Sequence, residues 1–183
     1  MVIDELARRW QLAEPRSAFG GLLRDGWPAG PRSGGPQGTR RVVLLTPQTY
    51  MNRSGSSAAQ MVGFYKADPA DLLVVLDDMA LPPGQLRARS GGSAGGHKGL
   101  ADVLTALGVN DVPRLRIGIG PPPPRMDAAD FVLTRFGPEE IEDVEHAIQL
   151  AADAVGDWVF SGIEYVMQKY NRRTQDTGNA DEQ

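Results

Sequence analysis

Residues 72–100 bring carboxylates, guanidinium groups and glycine-rich backbone together within one short span. An apolar run closes with Asp77 and Asp78, and a Pro-Pro-Gly turn then leads to Arg87 and Arg89, which alternate on a predicted strand. Open α/β sheets place their ligands at the carboxyl ends of strands. These residues therefore favour a site for an anionic substrate, although a solvated turn followed by a charged edge strand would give the same pattern.

The segment GGSAGGHKG at residues 91–99 would let a substrate approach the backbone at the start of a helix. It fails the test for a nucleotide-binding P-loop, because His97 replaces the required glycine and neither Ser nor Thr follows Lys98. A nucleotide-binding enzyme is therefore not supported. Two structural interpretations stay open, namely a plain flexible loop and a capping role for His97.

A second polar cluster follows the apolar run RVVLLT and opens the next predicted helix. It contains Tyr50, Met51 and Asn52, so a side-chain amide also stands near a strand end. An amide in that place can hold a carbonyl oxygen or an oxyanion. The alternative is that Asn52 or Ser54 only caps the helix.

Composition narrows the chemistry open to these groups. The 183 residues include no cysteine and two histidines, which excludes thiolate chemistry and leaves little scope for a metal site, so we expect no metal and no cofactor. We see neither a signal peptide nor the roughly 20 apolar residues of a membrane span, and this predicts a cytoplasmic protein without membrane contact. The net charge of −4 argues against a general nucleic-acid coat protein but allows a local basic patch.

Hydrophobic periodicity predicts one α/β domain over residues 1–171 and a disordered tail at 172–183. The strands on either side of the second helix are expected to form a parallel pair. Residues 27–39 are predicted to be the mobile tip of a peripheral hairpin. The predicted strands are residues 19–24, 41–46, 72–77 and 115–120, and the predicted helices are 1–10, 54–66, 99–107, a long segment after Gly137, and 163–170.

Three segments, TPQTYMNRSG, VVLDDMALPPGQLRARSGGSAGGHKGL and RLRIGIG, together resemble the motifs of bacterial-type peptidyl-tRNA hydrolases in order and spacing. The resemblance extends from Val2 to about Tyr170. It implies a carboxylic ester hydrolase that cuts the ester between a peptide and the 3′-terminal ribose of tRNA, and so recycles tRNA from stalled peptidyl-tRNA. The implied fold is a single α/β domain, in which a mixed, mostly parallel sheet has helices on both faces. The implied partner is tRNA, and the implied working form is a monomer.

The resemblance also implies which side chains contact the substrate. Asn52 matches the family's substrate-binding asparagine, with Met51 and Tyr50 beside it. His97 matches the histidine of the family's GGHNG segment. Lys98 replaces the asparagine that usually follows, so the contact made from this position is altered.

Three further positions match residues with other roles in the family. Asp77 matches the aspartate that orients the catalytic histidine, and Arg89 and Arg116 match a basic pair that holds a tRNA phosphate. The prolines at 121–124 lie beside the expected cleft, where their fixed φ would stiffen a loop over the substrate.

The family's catalytic histidine, and an asparagine-bearing GNPG-type loop, precede the helix with which this sequence opens. That helix also lacks a cap, because Met1 has no side-chain oxygen. We therefore expect an N-terminally incomplete copy of a functional hydrolase, whose Asp77 orients a histidine encoded upstream. The alternative is a catalytically inactive tRNA- or RNA-binding relative, which the extra positive charge of Lys98 favours.

Overall fold

The computed structural model describes residues 1–28 and 40–171. The chain divides into two compact units, of which the first comprises residues 1–74 and 89–114 and the second comprises residues 75–88 and 115 onward. The predicted tail, and all but the first two residues of the predicted hairpin tip, lie outside the described residues.

In its described residues, the first unit combines a small sheet with three helices. These helices begin and end within a residue of their predicted limits, so the helical periodicity of the sequence is confirmed here. Two 3₁₀ turns, at Met51–Arg53 and Pro69–Asp71, flank the second helix. The elements are α1 (Val2–Arg9), β1 (Arg16–Ala18), β2 (Gly21–Gly26), β3 (Val42–Pro47), α2 (Ser54–Tyr65) and α3 (Lys98–Leu107).

The sheet of the first unit is an antiparallel meander in the order β1-β2-β3. Leu23 of β2 lies opposite Leu45 of β3, and Leu23 is fully buried. The strands on either side of the predicted hairpin tip therefore pair antiparallel with each other. A tighter turn joins β1 to β2 through Phe19 and Gly20, both with positive φ, which is the backbone that a two-residue hairpin requires.

The described part of the second unit holds the other sheet and two helices. The sheet order is β4-β6-β5, and the end residues Val74, Arg89 and Arg114 of its strands fall in the first unit. The elements are β4 (Val74–Asp78), β5 (Leu86–Arg89), β6 (Arg114–Gly118), α4 (Ala128–Phe131) and α5 (Ile141–Tyr170).

The second sheet contains the parallel strand pair, but between other strands than expected. The Val74 N–H donates to the Pro113 carbonyl at 2.9 Å and the Ile119 N–H donates to the Asp78 carbonyl at 3.1 Å. Strands β4 and β6 are therefore parallel. We expected β3 to pair with β4, and the structure places them in different sheets. An apolar run shows that a strand is buried but does not identify its neighbour, and consecutive strands often do not pair.

The long helix α5 is interrupted once. Gly162 has φ 81° and ψ 173°, which is not helical, and it divides the element where the sequence predicts a separate last piece. At the other end Glu140 is the N-cap residue, and its carboxylate accepts from the Gly137 N–H at 2.7 Å, which confirms the predicted helix start. The buried face of α5 includes Ala151, Ala154, Val159 and Val166.

Helix α1 begins without a side-chain cap, as the sequence predicts. Met1 makes no capping hydrogen bond, and the first-turn carboxylate of Asp4 instead receives the N-terminal ammonium. This hydrogen bond lowers the pKa of Asp4 below its ordinary value.

Candidate active site

Helices α2 and α3 of the first unit cross with almost no space between their backbones. A Cβ atom at Gly55 would overlap the backbone carbonyl of Asp102, so the crossing requires glycine. The Gly55 N–H, in the first turn of α2, donates to Asp102 Oδ2 at 2.6 Å. A carboxylate there offsets the partial positive charge of the helix start. Asp102 therefore fixes the 3₁₀ turn of Met51–Arg53, which directly precedes α2, relative to α3.

The same crossing brings two of the sequence motifs into contact. A Cβ atom built on Gly99 would lie 2.6 Å from Met51 Sδ and 3.1 Å from His97 Cε1, so the thioether covers the first turn of α3. Tyr50 is 81% exposed and Met51 is 53% exposed. The side chain of Asn52 is exposed as well. The structure thus gathers Met51 and its two neighbours beside His97 on the surface of the first unit.

Asn52 does not serve as a helix cap. The N-cap position of α2 is Arg53, which makes no side-chain capping bond. The Ser54 hydroxyl donates back to the Met51 carbonyl at 3.0 Å, which tightens the 3₁₀ turn. The capping interpretation of both residues is therefore wrong, because Asp102, from α3, supplies the acceptor for the first turn of α2.

His97 is the N-cap residue of α3. Its Nδ1 accepts a hydrogen bond from the Leu100 N–H at 3.0 Å, so the capping role is confirmed. An Nδ1 that accepts carries no proton, and the neutral imidazole must then hold its proton on Nε2. Lys98 follows as the first residue of the helix with an exposed side chain. A cation there opposes the helix dipole, so helix stability does not explain this lysine.

The glycine-rich loop before His97 is held in place by hydrogen bonds between its backbone and the side chains of Asp111 and Arg114. The Gly92 N–H donates to the carboxylate of Asp111, and Arg114 Nη1 donates to the Gly92 carbonyl at 2.6 Å and to the Ser93 carbonyl at 3.4 Å. Arg114 is fully buried. Gly92 and Gly96 have positive φ, which explains the glycines. The interpretation of a plain flexible loop is wrong, because a buried guanidinium holds its backbone.

Sequence reasoning missed Arg114, Asp111 and Asp102. A signal for Arg114 was present, since it follows Val112 and Pro113 and precedes Leu115 at the start of a buried strand. An arginine in such surroundings must find acceptors nearby. The sequence does not show that its acceptors are the carbonyls of the glycine loop.

In the second unit, the carboxyl end of β4 is tied to the neighbouring strand β6. Asp78 Oδ2 lies 3.1 Å from Arg116 Nη1, with both side chains mostly buried, and Asp78 Oδ1 accepts from the Ala80 N–H at 2.9 Å. Arg116 is therefore not a solvated surface charge. Asp77, one residue earlier, is partly buried and points to the opposite face of the strand from Asp78.

The remaining predicted arginine lies on β5. Leu86 and Ala88 are buried, whereas Arg87 and Arg89 are exposed, so the two arginines share the outer face of this strand.

Within residues 1–28 and 40–171, the acidic and histidine side chains form no group of three that would hold a metal ion. Within the same residues, no helix is long and apolar enough to cross a membrane.

Comparison with known proteins decides the family. The family model for peptidyl-tRNA hydrolase matches residues 1–178. The chain belongs to the peptidyl-tRNA hydrolase family. The peptidyl-tRNA hydrolase of Rhodopirellula baltica is 42% identical over 171 residues, 93% of this chain and 85% of the relative. That of Symbiobacterium thermophilum is 44% identical over 174 residues, 93% and 87% of the two chains.

Solved structures agree with this assignment to the peptidyl-tRNA hydrolase family. The crystal structure of peptidyl-tRNA hydrolase from Acinetobacter baumannii matches with a TM-score of 0.79 and 30% identity, covering 93% of this chain and 83% of that one. A crystal structure of a peptidyl-tRNA hydrolase complex with N-propanol matches with the same TM-score and 29% identity. The predicted α/β class is therefore confirmed.

Proposed function

We propose that this chain acts as a peptidyl-tRNA hydrolase, which cleaves the ester between a peptide and the 3′-terminal ribose of tRNA and so returns the tRNA to translation. The observation that carries this proposal is the family match over residues 1–178, together with the conserved geometry implied by a TM-score of 0.79. The contact between the Met51 and His97 segments supports it further, because it builds one continuous surface from two separate motifs.

The substrate is proposed to lie on this surface of the first unit. Asn52 offers an exposed amide that can donate to a substrate carbonyl, and Tyr50 and Met51 offer exposed apolar area beside it. His97 and Lys98 complete the surface at the start of α3. The N–H groups of that first turn and the Lys98 ammonium favour a partner with negative charge.

Asp77 is proposed to orient the histidine that activates water for attack on the ester. The chain contains two histidines, and neither stands at the position of the family's water-activating histidine. His97 uses Nδ1 to cap α3. His146 lies on α5 with an exposed side chain. The water-activating histidine is therefore proposed to be neither of them, and His97 is proposed to bind substrate.

Arg89 and Arg116 are proposed to hold a phosphate of the tRNA. Guanidinium groups suit this role because they bind phosphate oxygens in a bidentate fashion. Asp78 supports Arg116 by fixing one of its terminal nitrogens, which reduces the number of conformations that must be lost on binding.

The rate of peptide release from an N-blocked aminoacyl-tRNA tests this function. We expect the protein as the cell makes it, with the histidine that Asp77 is proposed to orient, to release the peptide, and Asp77→Asn to slow release by about 10²- to 10⁴-fold, the usual effect of losing an oriented base. Asp71→Asn is the matched control, because Asp71 is an exposed carboxylate in a 3₁₀ turn of the first unit. Release that Asp77→Asn leaves unchanged would refute the role of Asp77.

A second candidate function is binding of tRNA or another RNA without hydrolysis. Lys98 favours it, since an exposed ammonium at a helix start has no structural benefit and suits a phosphate. The same release assay separates the two functions. Tight tRNA binding without any peptide release would favour the binding protein, whereas release sensitive to Asp77→Asn would exclude it.

We further propose that the hydrolase works as a monomer in the cytoplasm, where peptidyl-tRNA arises during translation. Sedimentation at several protein concentrations tests the first point. A molecular mass twice that of the chain at low concentration would contradict it.

A further inference from the structure

Strand β5 is the last strand in the order β4-β6-β5 of the second sheet, and it carries two exposed arginines. Between them stands Ala88, which is fully buried. Residues two apart on a strand point to the same side and lie about 7 Å apart along it, so Arg87 and Arg89 form a short row of positive charge. Their direction depends on how firmly the backbone of this one strand is held.

The backbone of Ala88 is held by a side chain from the end of α5. The Ala88 N–H donates to Asn171 Oδ1 at 2.8 Å, and Asn171 Nδ2 donates to the Ala88 carbonyl at 3.0 Å. The N–H and C=O of one strand residue point to the same side, and the next residues point to the other side. Asn171 thus pairs with Ala88 as one residue of an additional strand would. The backbone groups of Arg87 and Arg89 point to the opposite edge of β5.

Asn171 is itself well fixed. Its backbone N–H bonds to the Met167 carbonyl at the end of α5. The preceding residue, Tyr170, is only 5% exposed and donates its hydroxyl to Asp157 at 2.7 Å. Burial and the Asp157 carboxylate raise the pKa of Tyr170 to about 12, so this hydrogen bond is present at neutral pH. The amide of Asn171 therefore reaches Ala88 from a rigid helix end.

We propose that Asn171 is a positioning residue for tRNA, which fixes β5 so that Arg87 and Arg89 meet the phosphate backbone in the correct direction. This inference rests on the proposed function, in which Arg89 binds a tRNA phosphate, and adds Arg87 as a second contact. Without Asn171, the buried N–H and C=O of Ala88 lose their partners, and the strand must move or admit water to satisfy them. A guanidinium that binds phosphate in a bidentate fashion is sensitive to such a movement.

The experiment measures the dissociation constant of deacylated tRNA, at salt concentrations from 50 to 200 mM, with the full chain. Binding does not require hydrolysis, so the result is independent of the catalytic rate. We expect Asn171→Ala to weaken binding roughly 3- to 10-fold at the lowest salt and to reduce the salt dependence, as lost phosphate contacts do.

Tyr170→Phe is the matched control. It removes a hydrogen bond at the same helix end, to Asp157, and leaves the amide contact with Ala88 in place. A urea unfolding curve for each variant shows whether their stabilities match. If Tyr170→Phe weakens tRNA binding as much as Asn171→Ala does, the effect comes from general loosening and the inference is overturned.

A double-mutant cycle separates positioning from any direct role. In the background Arg87→Gln with Arg89→Gln, we expect Asn171→Ala to have no further effect, because the groups it positions are gone. An equal loss in that background would overturn the inference. If the two arginine substitutions alone leave tRNA binding unchanged, the result refutes the proposed phosphate role of Arg89, and it also refutes the inference, which depends on that role.

Discussion

Two helix ends carry the residues on which the functional proposals depend, and they are held by different chemistry. The start of α3 in the first unit depends on a buried guanidinium, Arg114, and on the imidazole cap of His97. The end of α5 in the second unit depends on a phenol and an ammonium that share the carboxylate of Asp157. The first arrangement fixes loop backbone directly, whereas the second fixes a helix whose C-cap residue, Asn171, then fixes a strand.

The two helix ends differ in their sensitivity to pH. Arginine stays protonated throughout the pH range in which proteins remain folded. A rise in pH therefore does not remove the hydrogen bonds that Arg114 donates to the loop before α3. Lys169 and Tyr170 both lose protons at high pH. The hydrogen bond to Asp157 raises the pKa of Lys169, and burial together with Asp157 raises the pKa of Tyr170. The end of α5 is therefore the titratable one of the two.

The largest expected effect comes from Arg114→Met. Methionine fills most of the buried volume but leaves the carbonyls of Gly92 and Ser93 without their donor, and we expect a loss of about 3 kcal/mol in the free energy of unfolding. Urea unfolding measures it. Arg87→Met, at an exposed arginine, serves as the control and should change stability by less than about 0.5 kcal/mol. Equal effects of both substitutions would show that Arg114 does not hold the loop.

A smaller effect distinguishes the end of α5 by pH. The pKa of Tyr170 is raised to about 12 from an ordinary value near 10, so the folded state favours the protonated phenol. That stability is complete below pH 10 and is lost as the pH rises towards 12, by roughly 2 kcal/mol in total. Unfolding free energies measured from pH 8 to pH 12 should fall less steeply in Tyr170→Phe. Identical slopes would contradict the assignment.

The smallest effect concerns the cap of α3. His97→Ala removes the acceptor for the Leu100 N–H and should cost about 1 kcal/mol, while His97→Asn restores an acceptor and should cost only a few tenths. Peptide release then shows whether the imidazole has another role. Because the proposal assigns His97 to substrate binding, we expect His97→Asn to raise KM more than it lowers kcat. Complete loss of kcat in His97→Asn would instead identify His97 as the general base.

Sequence alone predicted the helices of the first unit to within a residue, because apolar residues recur at helical spacing and Pro69 follows the second helix as a stop signal. It also predicted the break before Ile163, where a glycine interrupts the long apolar stripe. The pairing of strands could not be predicted from the sequence in the same way. The run at residues 72–77 identified β4 as a strand, but nothing in it showed that β6, about 40 residues later, would be its parallel neighbour.

The candidate site divides in the same way. The motif order predicted Asn52, Asp77, Arg89, His97 and Arg116 as a set, and the roles assigned to them stay predictions that the assays above can test. Contacts through space supplied the residues that hold the set in place. Arg114 and Asp102 act on partners 21 to 47 residues distant in the chain, and local patterns do not reveal such pairs.

The amino-acid sequence by itself determined the family, the helical segments and the side chains available for chemistry, because each depends on residue type and local spacing. Only the tertiary structure decided that Met51 covers Gly99, that Arg114 holds the glycine loop and that Asn171 pairs with Ala88. Those contacts depend on buried polar groups finding partners across the fold, and that requirement is satisfied in three dimensions rather than along the chain.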